Sequence, residues 1–357
     1  MRVGSIVALL AGLFLTAGCT SVGYYYQAMS GQMQIWHRSH PISRLIDESG
    51  TDAALRERLR TVQRIRDFAS RELALPDNSS YRKYADLERQ FVVWNVFATE
   101  EFSIDPAQWC FPIAGCVAYR GYFKEAAAIR FAAGLREKNL DVWVGGVAAY
   151  STLGWFDDPV LNTFINDQDM DIARLLFHEL AHQVVYVQDD SSFNESFATA
   201  VELEGTGRWL DKNGTPEQRA EFEARQARRR EFVDLIGRYR DRLRTQYAKE
   251  GAPEQKRLDK TRTFAELKDE YENLKAGWGG YAGYDGFFRE PLNNARLVPV
   301  ATYSEWVPAF RRLLAEQGGD LGRFYVVARE IAKLPIKERE QRLVGKANSS
   351  AMLHLHR

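Results

Sequence analysis

Apolar residues recur at helical spacing through the middle of the chain and predict a mostly buried helix. The repeating positions are Ile172, Leu175, Leu176, Leu180 and Val184. Residues three and four apart share one face of a helix, so this spacing gathers the apolar set on one side. Asp167 and Asp169 lie just before or at the start of the pattern and are candidate N-caps.

A second helical pattern, over residues 215–274, is heavily charged and predicts two helices packed as a hairpin. Its apolar face comprises Leu235, Ile236, Tyr239 and Leu243, and Gly251-Ala252-Pro253 interrupts it. The arginines at positions 225 and 228–230 have acidic residues on both sides. This arrangement favours a solvated helix face over a surface that binds anions.

Elsewhere the chain changes between helical and extended patterns. Residues 24–108 are predicted to be mostly helical, with breaks at Pro41, Pro76 and residues 78–80. The segment Val142-Trp143-Val144 predicts a strand, and Gly145 and Gly146 follow it. Small residues at that point permit close approach by another backbone. The patterns together predict a mainly helical α+β fold.

The first residues predict an exported chain. Met1-Arg2 precedes the apolar run Ile6–Leu15, and Thr16-Ala17-Gly18-Cys19 follows. A run this short after a positive start is typical of a secretory signal, not of a spanning helix. The end of the run resembles the bacterial lipobox, which implies removal of residues 1–18 and a lipid on Cys19. By the same resemblance, an aspartate after the cysteine would favour retention in the inner membrane. Thr20 stands there instead, which favours the outer membrane, facing the periplasm. A plain signal peptide with an incidental cysteine is the alternative.

Charge and cysteine content narrow the classes of partner. Lys plus Arg and Asp plus Glu both number 48, so nothing indicates a nucleic-acid partner or a polybasic membrane patch. Beyond Cys19 the cysteines are Cys110 and Cys116, in a loop that contains Pro and Gly. An even pair in an exported chain favours a disulfide, with two buried thiols as the alternative.

The predicted central helix carries the motif His178-Glu179-Leu180-Ala181-His182. Histidines four apart lie one turn above the other on the same helix face, so both rings can reach one ion. The motif H-E-x-x-H is typical of zinc hydrolases, in which the glutamate is the general base. Two ordinary helix-face histidines are the alternative, but burying His, Glu and His without partners is costly. We therefore predict a Zn²⁺ site with Glu179 as the base.

A zinc site of this kind needs a third protein ligand and an open fourth position. The segment His178 to Gln183, followed by Asn194-Glu195-Ser196-Phe197-Ala198, resembles the gluzincin metallopeptidases of the aminopeptidase N branch. The whole chain, with its lipoprotein start, resembles a bacterial family of predicted aminopeptidases. The resemblance implies Glu195 as the third ligand, with Asn194 and Ala198 as supporting positions.

Two alternatives remain for Glu195. Twelve residues separate it from His182, fewer than in relatives of aminopeptidase N, whereas Glu202 has the thermolysin-like spacing and is the rival ligand. Ser192 and Glu195 also match a capping box, in which the glutamate would only reach back to the helix start. A short loop between two helices would let Glu195 face His182, so the spacing does not exclude it.

The resemblance also implies substrate-binding and oxyanion-stabilising groups. Gluzincins pair the substrate main chain with an edge strand, and Gly145, Gly146 and Tyr150 lie at about that place. The amine-anchoring glutamate of aminopeptidase N relatives is missing from residues 145–150; Asp157 or Asp158 could replace it. A tyrosine is the natural oxyanion donor, because no histidine lies between His182 and the C-terminal tail. The candidates are Tyr303, Tyr281 and Tyr284.

These expectations define a lipid-anchored zinc peptidase of the cell envelope that acts on a peptide or protein substrate. Residues 19–139 form an N-terminal, mostly helical region. Residues 140–325 form a zincin-like catalytic region with the hairpin 215–274 inserted, and residues 326–357 form a C-terminal helix and tail. The expected activity is that of an aminopeptidase. An envelope endopeptidase and a non-catalytic scaffold or chaperone are the alternatives.

Overall fold

The computed structural model describes residues 23–111, 115–149, 151–152, 154–302 and 305–344. They form a mainly helical α+β fold in which thirteen helices surround three small sheets. The helices are α1 (23–38), α2 (Ile42–Asp47), α3 (Ala53–Leu73), α4 (Glu125–Arg136), α5 (Asp169–His182), α6 (Ser191–Asn213), α7 (Pro216–Tyr247), α8 (Pro253–Gly277), α9 (Asp285–Phe288), α10 (Asn294–Thr302), α11 (Val307–Glu316), α12 (Leu321–Ala332) and α13 (Ile336–Val344). The strands are β1 (Ser39–Pro41), β2 (Lys83–Ala85), β3 (Val93–Thr99), β4 (Trp109–Phe111), β5 (Gly115–Val117), β6 (Arg120–Tyr122), β7 (Asp141–Val147) and β8 (Val160–Leu161).

The prediction of a mostly helical segment over residues 24–108 is wrong beyond residue 73. Two strands, Lys83–Ala85 and Val93–Thr99, occupy its second half, and β4 to β6 continue the extended structure. The sequence of β3 is Val-Trp-Asn-Val-Phe-Ala-Thr, with six of its seven residues buried. A strand covered on both faces shows no alternation of apolar and polar residues, so periodicity cannot distinguish it from a buried helix.

The strand predicted at Val142–Val144 is β7, an edge of the antiparallel sheet β6-β3-β7. β7 pairs with β3 along its whole length, from Val93 opposite Val147 to Thr99 opposite Asp141. One face of the sheet packs against α4 through Val96, Ala98 and Val142. On the other face, Phe97 and Trp143 pack with residues of α10.

Helices α5 and α6 form the centre of the molecule and pack against each other and against α3. The buried face of α5 includes Ile172, Leu176 and Leu180, as the apolar spacing predicts. The predicted N-caps are wrong, because the cap position is Gln168 and Asp169 is already helical. Asp169 instead accepts a 2.7 Å hydrogen bond from Arg58 of α3.

The loop between α5 and α6 is held by one asparagine. Asn194 Nδ2 donates to the Val187 carbonyl at 2.7 Å, and the Val187 N–H donates to Asn194 Oδ1 at 2.8 Å. The N-cap of α6 is Asp190, whose carboxylate accepts a hydrogen bond from the Phe193 N–H at 2.9 Å. Because Asp190 is the cap, the proposed capping box of Ser192 and Glu195 is wrong. The first turn of α6 is therefore fixed against the end of α5.

The charged segment 215–274 contains the two packed helices that its pattern predicts, α7 and α8. Thr215 caps α7 in a capping box with Gln218, and Pro216 occupies the first helical position. Leu235, Ile236 and Tyr239 pack with Phe264 and Leu267 of α8 in a small separate core. Among the described residues, no helix is both long and apolar enough to cross a membrane.

Candidate metal site

Three side chains from α5 and α6 converge on one point. His178 Nε2 lies 3.1 Å from Glu195 Oε2 and 3.2 Å from His182 Nε2, and His182 Nε2 lies 3.6 Å from Glu195 Oε2. Ligand atoms at about 2.0–2.1 Å from a tetrahedral zinc ion are about 3.3 Å apart. The three separations fit that geometry, so His178, His182 and Glu195 could together hold a metal ion.

The rival carboxylate, Glu202, lies on the opposite side of the His178 ring. Its Oε2 accepts a 2.8 Å hydrogen bond from His178 Nδ1. Its Oε1 accepts from Arg174 at 3.2 Å and from Arg229 at 3.3 Å. The hydrogen bond from Nδ1 fixes the orientation of the His178 ring and leaves its Nε2 directed at Glu195. Carboxylates that accept from the second nitrogen of metal-binding histidines have the same effect.

The charges of the cluster are strongly coupled. Burial disfavours the ionised form of Glu195, but attraction to His182 and a hydrogen bond with His178 outweigh it and lower the pKa of Glu195 to about 2. Burial is likewise outweighed at Glu202, where Arg174 and His178 lower the pKa to about 2. Both glutamates are therefore carboxylates over the neutral range, and an anionic carboxylate is the form that binds a cation.

Glu179 lies between the two histidines in sequence and is buried. Its carboxylate makes no side-chain hydrogen bond to any other described residue. Burial raises the pKa of Glu179, while the neighbouring histidines act in the opposite direction. A carboxylate with a raised pKa and no fixed partner is suited to accept a proton and pass it on.

The structure brings two tyrosines to this site that the sequence did not indicate. Burial raises the pKa of Tyr119, and the charges of Glu195 and Glu179 add to the effect. Burial, followed by Glu195 and Asp189, raises the pKa of Tyr186 to about 12. Tyr119 lies in the link between β5 and β6, far from the motif in sequence, and no local pattern distinguishes it from a packing residue.

Two of the tyrosines predicted to donate to an oxyanion, Tyr281 and Tyr284, pack against side chains of α7. The ring of Tyr281 packs under the Arg228 guanidinium at 4.1 Å, and Tyr284 stacks on Phe232 with ring centroids 4.1 Å apart. Both rings belong to the aromatic packing of the α7–α8 hairpin. Tyr303 and Tyr150 are outside the described residues, as is Cys19.

The glycines of β7 accommodate aromatic rings. A Cβ at Gly145 would come within 2.3 Å of the Trp143 ring, and one at Gly146 within 2.3 Å of the Phe91 ring. Asn293 Nδ2 donates to the Val142 carbonyl at 3.1 Å, so that carbonyl faces away from β3. The backbone N–H and C=O groups of alternate residues in a strand point to the same side. Those of Val144 and Gly146 therefore point, like the Val142 carbonyl, to the edge of β7 that faces away from β3. A cavity of about 340 Å³ borders this edge.

A disulfide joins Cys110 of β4 to Cys116 of β5. The Cys116 N–H donates to Asp189 Oδ1 in the loop between α5 and α6. Gly115 has a φ of +73°, and a Cβ there would lie 2.9 Å from the Asp189 backbone nitrogen. The glycine thus allows the disulfide hairpin to pack directly against the loop that connects the metal-site helices.

Asp158 is a buried carboxyl close to Glu179. Its Oδ2 accepts a 2.9 Å hydrogen bond from the Thr152 N–H, whereas Asp157 is exposed and pairs with Lys83 at 3.5 Å. Burial raises the pKa of Asp158 from 3.8 to about 7, and the Glu179 charge adds to this. Near neutral pH, Asp158 therefore exchanges its proton more readily than an ordinary aspartate.

We expect Asp158→Asn to make folding stability less dependent on pH. Folding raises the pKa of Asp158, so its contribution is complete below the unfolded value of 3.8 and is lost as pH rises to about 7. Asparagine keeps an oxygen for the Thr152 N–H but cannot ionise. In thermal unfolding, the melting temperature of the variant should rise relative to that of the wild type between about pH 5 and about pH 8. An unchanged difference across that range would contradict the assignment.

The structure thus combines a mainly helical α+β fold with a His-His-Glu cluster that could hold a metal ion. Comparison with known families agrees at a coarser level: the model of the family described as "Putative aminopeptidase" matches residues 23–343. The chain belongs to this family. No curated protein and no solved structure matches the chain.

Proposed function

We propose that the protein is a zinc-dependent peptidase of the gluzincin type, acting as an aminopeptidase. The observation that carries the proposal is the convergence of His178 Nε2, His182 Nε2 and Glu195 Oε2, with Glu179 on the same helix. Membership of the aminopeptidase family supports a peptide or protein substrate. Two histidines and a carboxylate form a donor set that suits zinc.

The chain's own residues have separate roles in this proposal. His178, His182 and Glu195 hold the ion, and Glu202 orients the ring of His178. Zinc, when bound, supplies Lewis acidity that polarises the scissile carbonyl and lowers the pKa of water. Glu179 accepts the proton of the attacking water and delivers it to the departing amine. Tyr119 and Tyr186 are the candidate donors to the oxygen on which negative charge develops.

The free edge of β7 is the proposed surface for the substrate main chain. An extended peptide can add to an exposed strand through backbone hydrogen bonds. Val144 and Gly146 present the free backbone groups there, beside the cavity that borders β7. Their order along the chain, shortly before α5, agrees with the position of the substrate strand in gluzincins.

The proposed location is the cell envelope, with a lipid on Cys19 holding the protein at the outer membrane. The support is the sequence Thr16-Ala17-Gly18-Cys19 after a short apolar run. Mass spectrometry of the mature N-terminal peptide tests the proposal. A lipid-modified Cys19 supports it, and an N-terminus elsewhere excludes it.

The peptidase proposal is tested with zinc-loaded protein beginning after Cys19, a mixed peptide library and mass spectrometry. We expect products shortened one residue at a time from the N-terminus, abolished by a chelator and restored by added zinc. Internal cleavage would favour an endopeptidase, the alternative suggested by the absence of a glutamate from residues 145–150. No cleavage by folded, zinc-loaded protein would leave a non-catalytic scaffold.

A further inference from the structure

A second, larger cavity lies beside the metal-site helices. It has a volume of about 1740 Å³ and opens between α6, α7, α10 and α11. His178, His182 and Glu195 do not line it. Its apolar lining includes Leu203, Ile236, Val298 and Val307, and the remainder is mostly charged. The three residues of the cluster thus lie outside the lining, although Arg229, which pairs with Glu202, is part of it.

Nine arginines line this cavity, and six of them bind carboxylates or carbonyls of the chain. The other three, Arg230, Arg240 and Arg311, have no hydrogen-bond or ion-pair partner among the described residues. Of the acidic residues in the lining, Asp234 and Glu305 likewise have no side-chain partner in the described ranges. The uncommitted charge is thus three positive against two negative, a net positive field.

Arg240 is the most informative of the three. Its Nε is fully buried and unpaired, although the side chain faces a cavity. Burial lowers the pKa of Arg240, and the neighbouring Arg244 lowers it further. The charge of Glu305 and of two nearby aspartates acts in the opposite direction but does not outweigh burial. A desolvated guanidinium without a hydrogen-bonded partner destabilises a protein, so such groups are normally paired. The space beside it is open, because a Cβ added at Gly237 would contact nothing within 4 Å.

The spacing of the three arginines without partners in the described residues indicates an elongated ligand. Arg230 and Arg240 are ten residues apart on α7, which corresponds to about 15 Å along the helix. Arg311 approaches from α11 on the opposite wall. An extended peptide advances about 3.3 Å per residue, so about five residues would span the two positions on α7. A single small anion could not contact both.

We propose that this cavity binds an extended peptide segment that carries carboxylates, with Arg240 as the central anchor. The guanidinium plane matches a carboxylate in a two-point hydrogen-bonded pair. The apolar residues of the lining contact the methylene groups of the peptide. Of the arginines at positions 225 and 228–230, Arg225 and Arg229 pair with acidic groups of the chain, and Arg230 is exposed and lines the cavity.

The binding test uses isothermal titration calorimetry on the zinc-loaded full chain. The probe is an acetylated, amidated pentapeptide of glutamate, and the control is the matching pentapeptide of glutamine. We expect the glutamate peptide to bind and the glutamine peptide to bind much more weakly. Arg240→Gln should weaken the glutamate peptide at least about tenfold, since a hydrogen bond to a charged group is lost. Arg240→Lys should retain part of the affinity.

A matched control lies on the same helix. Arg242 of α7 pairs with Glu266 of α8 outside the cavity, so Arg242→Gln should leave peptide binding unchanged. Arg240→Gln should unfold at or above the wild-type temperature without peptide, because it removes a partly buried cation that has no hydrogen-bonded partner among the described residues. Equal binding of the two peptides, or equal binding by the Arg240→Gln and Arg242→Gln variants, would overturn the proposal. Inorganic phosphate that displaces the peptide at comparable concentration would overturn the extended ligand in favour of a single oxyanion.

Discussion

Glu179→Gln is expected to lower kcat/KM for peptide hydrolysis by about 10²- to 10⁴-fold, the usual contribution of a general base. The amide cannot accept the proton of the attacking water, yet it has nearly the same size as the carboxylate. Glu179 makes no side-chain hydrogen bond within the described ranges, so the substitution leaves no partner unpaired. Zinc binding and the temperature of thermal unfolding should therefore remain close to those of the wild type.

The matched control for this experiment is Glu204→Gln. Glu204 lies on α6 near the site, but its carboxylate pairs with Arg208 at 2.8 Å and contacts none of the cluster residues in the described structure. Initial rates on a fluorogenic peptide should be unaffected by this change. If the Glu179→Gln variant keeps most of the wild-type rate, Glu179 is not the base and the proposed mechanism fails.

Glu195→Gln and Glu202→Gln are expected to differ sharply in zinc affinity. Loss of Glu195 removes one of three protein ligands, so we expect no zinc to remain in competition with a chromophoric chelator. At the metal site, loss of Glu202 removes the hydrogen bond that orients His178, which typically weakens metal binding about 10- to 100-fold. The two variants change the same chemical group on the same helix, so each is the control of the other.

The order of the two effects identifies the ligand. A larger loss at Glu202 than at Glu195 would show that the thermolysin-like spacing gives the third ligand. Glu202 also pairs with Arg174 and Arg229, so its removal leaves two cations without that partner. Thermal unfolding of the zinc-free proteins separates this structural cost from the change in metal affinity.

Much of the secondary structure around the site follows from local pattern. The apolar spacing of α5 predicts a buried helix, and the charged segment 215–274 predicts the hairpin of α7 and α8. The failures lie in the first half of the chain, where β3 was predicted as helix. Six of the seven residues of that strand are buried, and its alternating pattern is lost for that reason.

The supporting groups of the site are less accessible to sequence reasoning. Tyr119 follows the disulfide hairpin, which packs against the loop that joins α5 to α6, and the charges of Glu195 and Glu179 act on its hydroxyl. The character of the cavity beside α7 depends on which of its many arginines find hydrogen-bond partners, and the described structure leaves Arg240 Nε without one. Such facts depend on distances between elements that are remote in sequence, and no local spacing encodes them.

The sequence alone determined that His178 and His182 can reach one metal ion, because a helix places residues four apart on one face whatever surrounds it. It also contains the motif His178 to His182, followed by Asn194 to Ala198, on which the resemblance to gluzincins rests. Glu195 and Glu202 lie two turns apart on the same helix, and only the tertiary structure distinguishes their positions. Glu195 Oε2 lies beside the Nε2 atoms of both histidines, whereas Glu202 Oε2 lies at Nδ1 of His178. The positions of the two carboxylates depend on how the loop held by Asn194 brings the start of α6 against the end of α5. Local dihedral geometry fixes the first relationship, whereas packing between helices fixes the second.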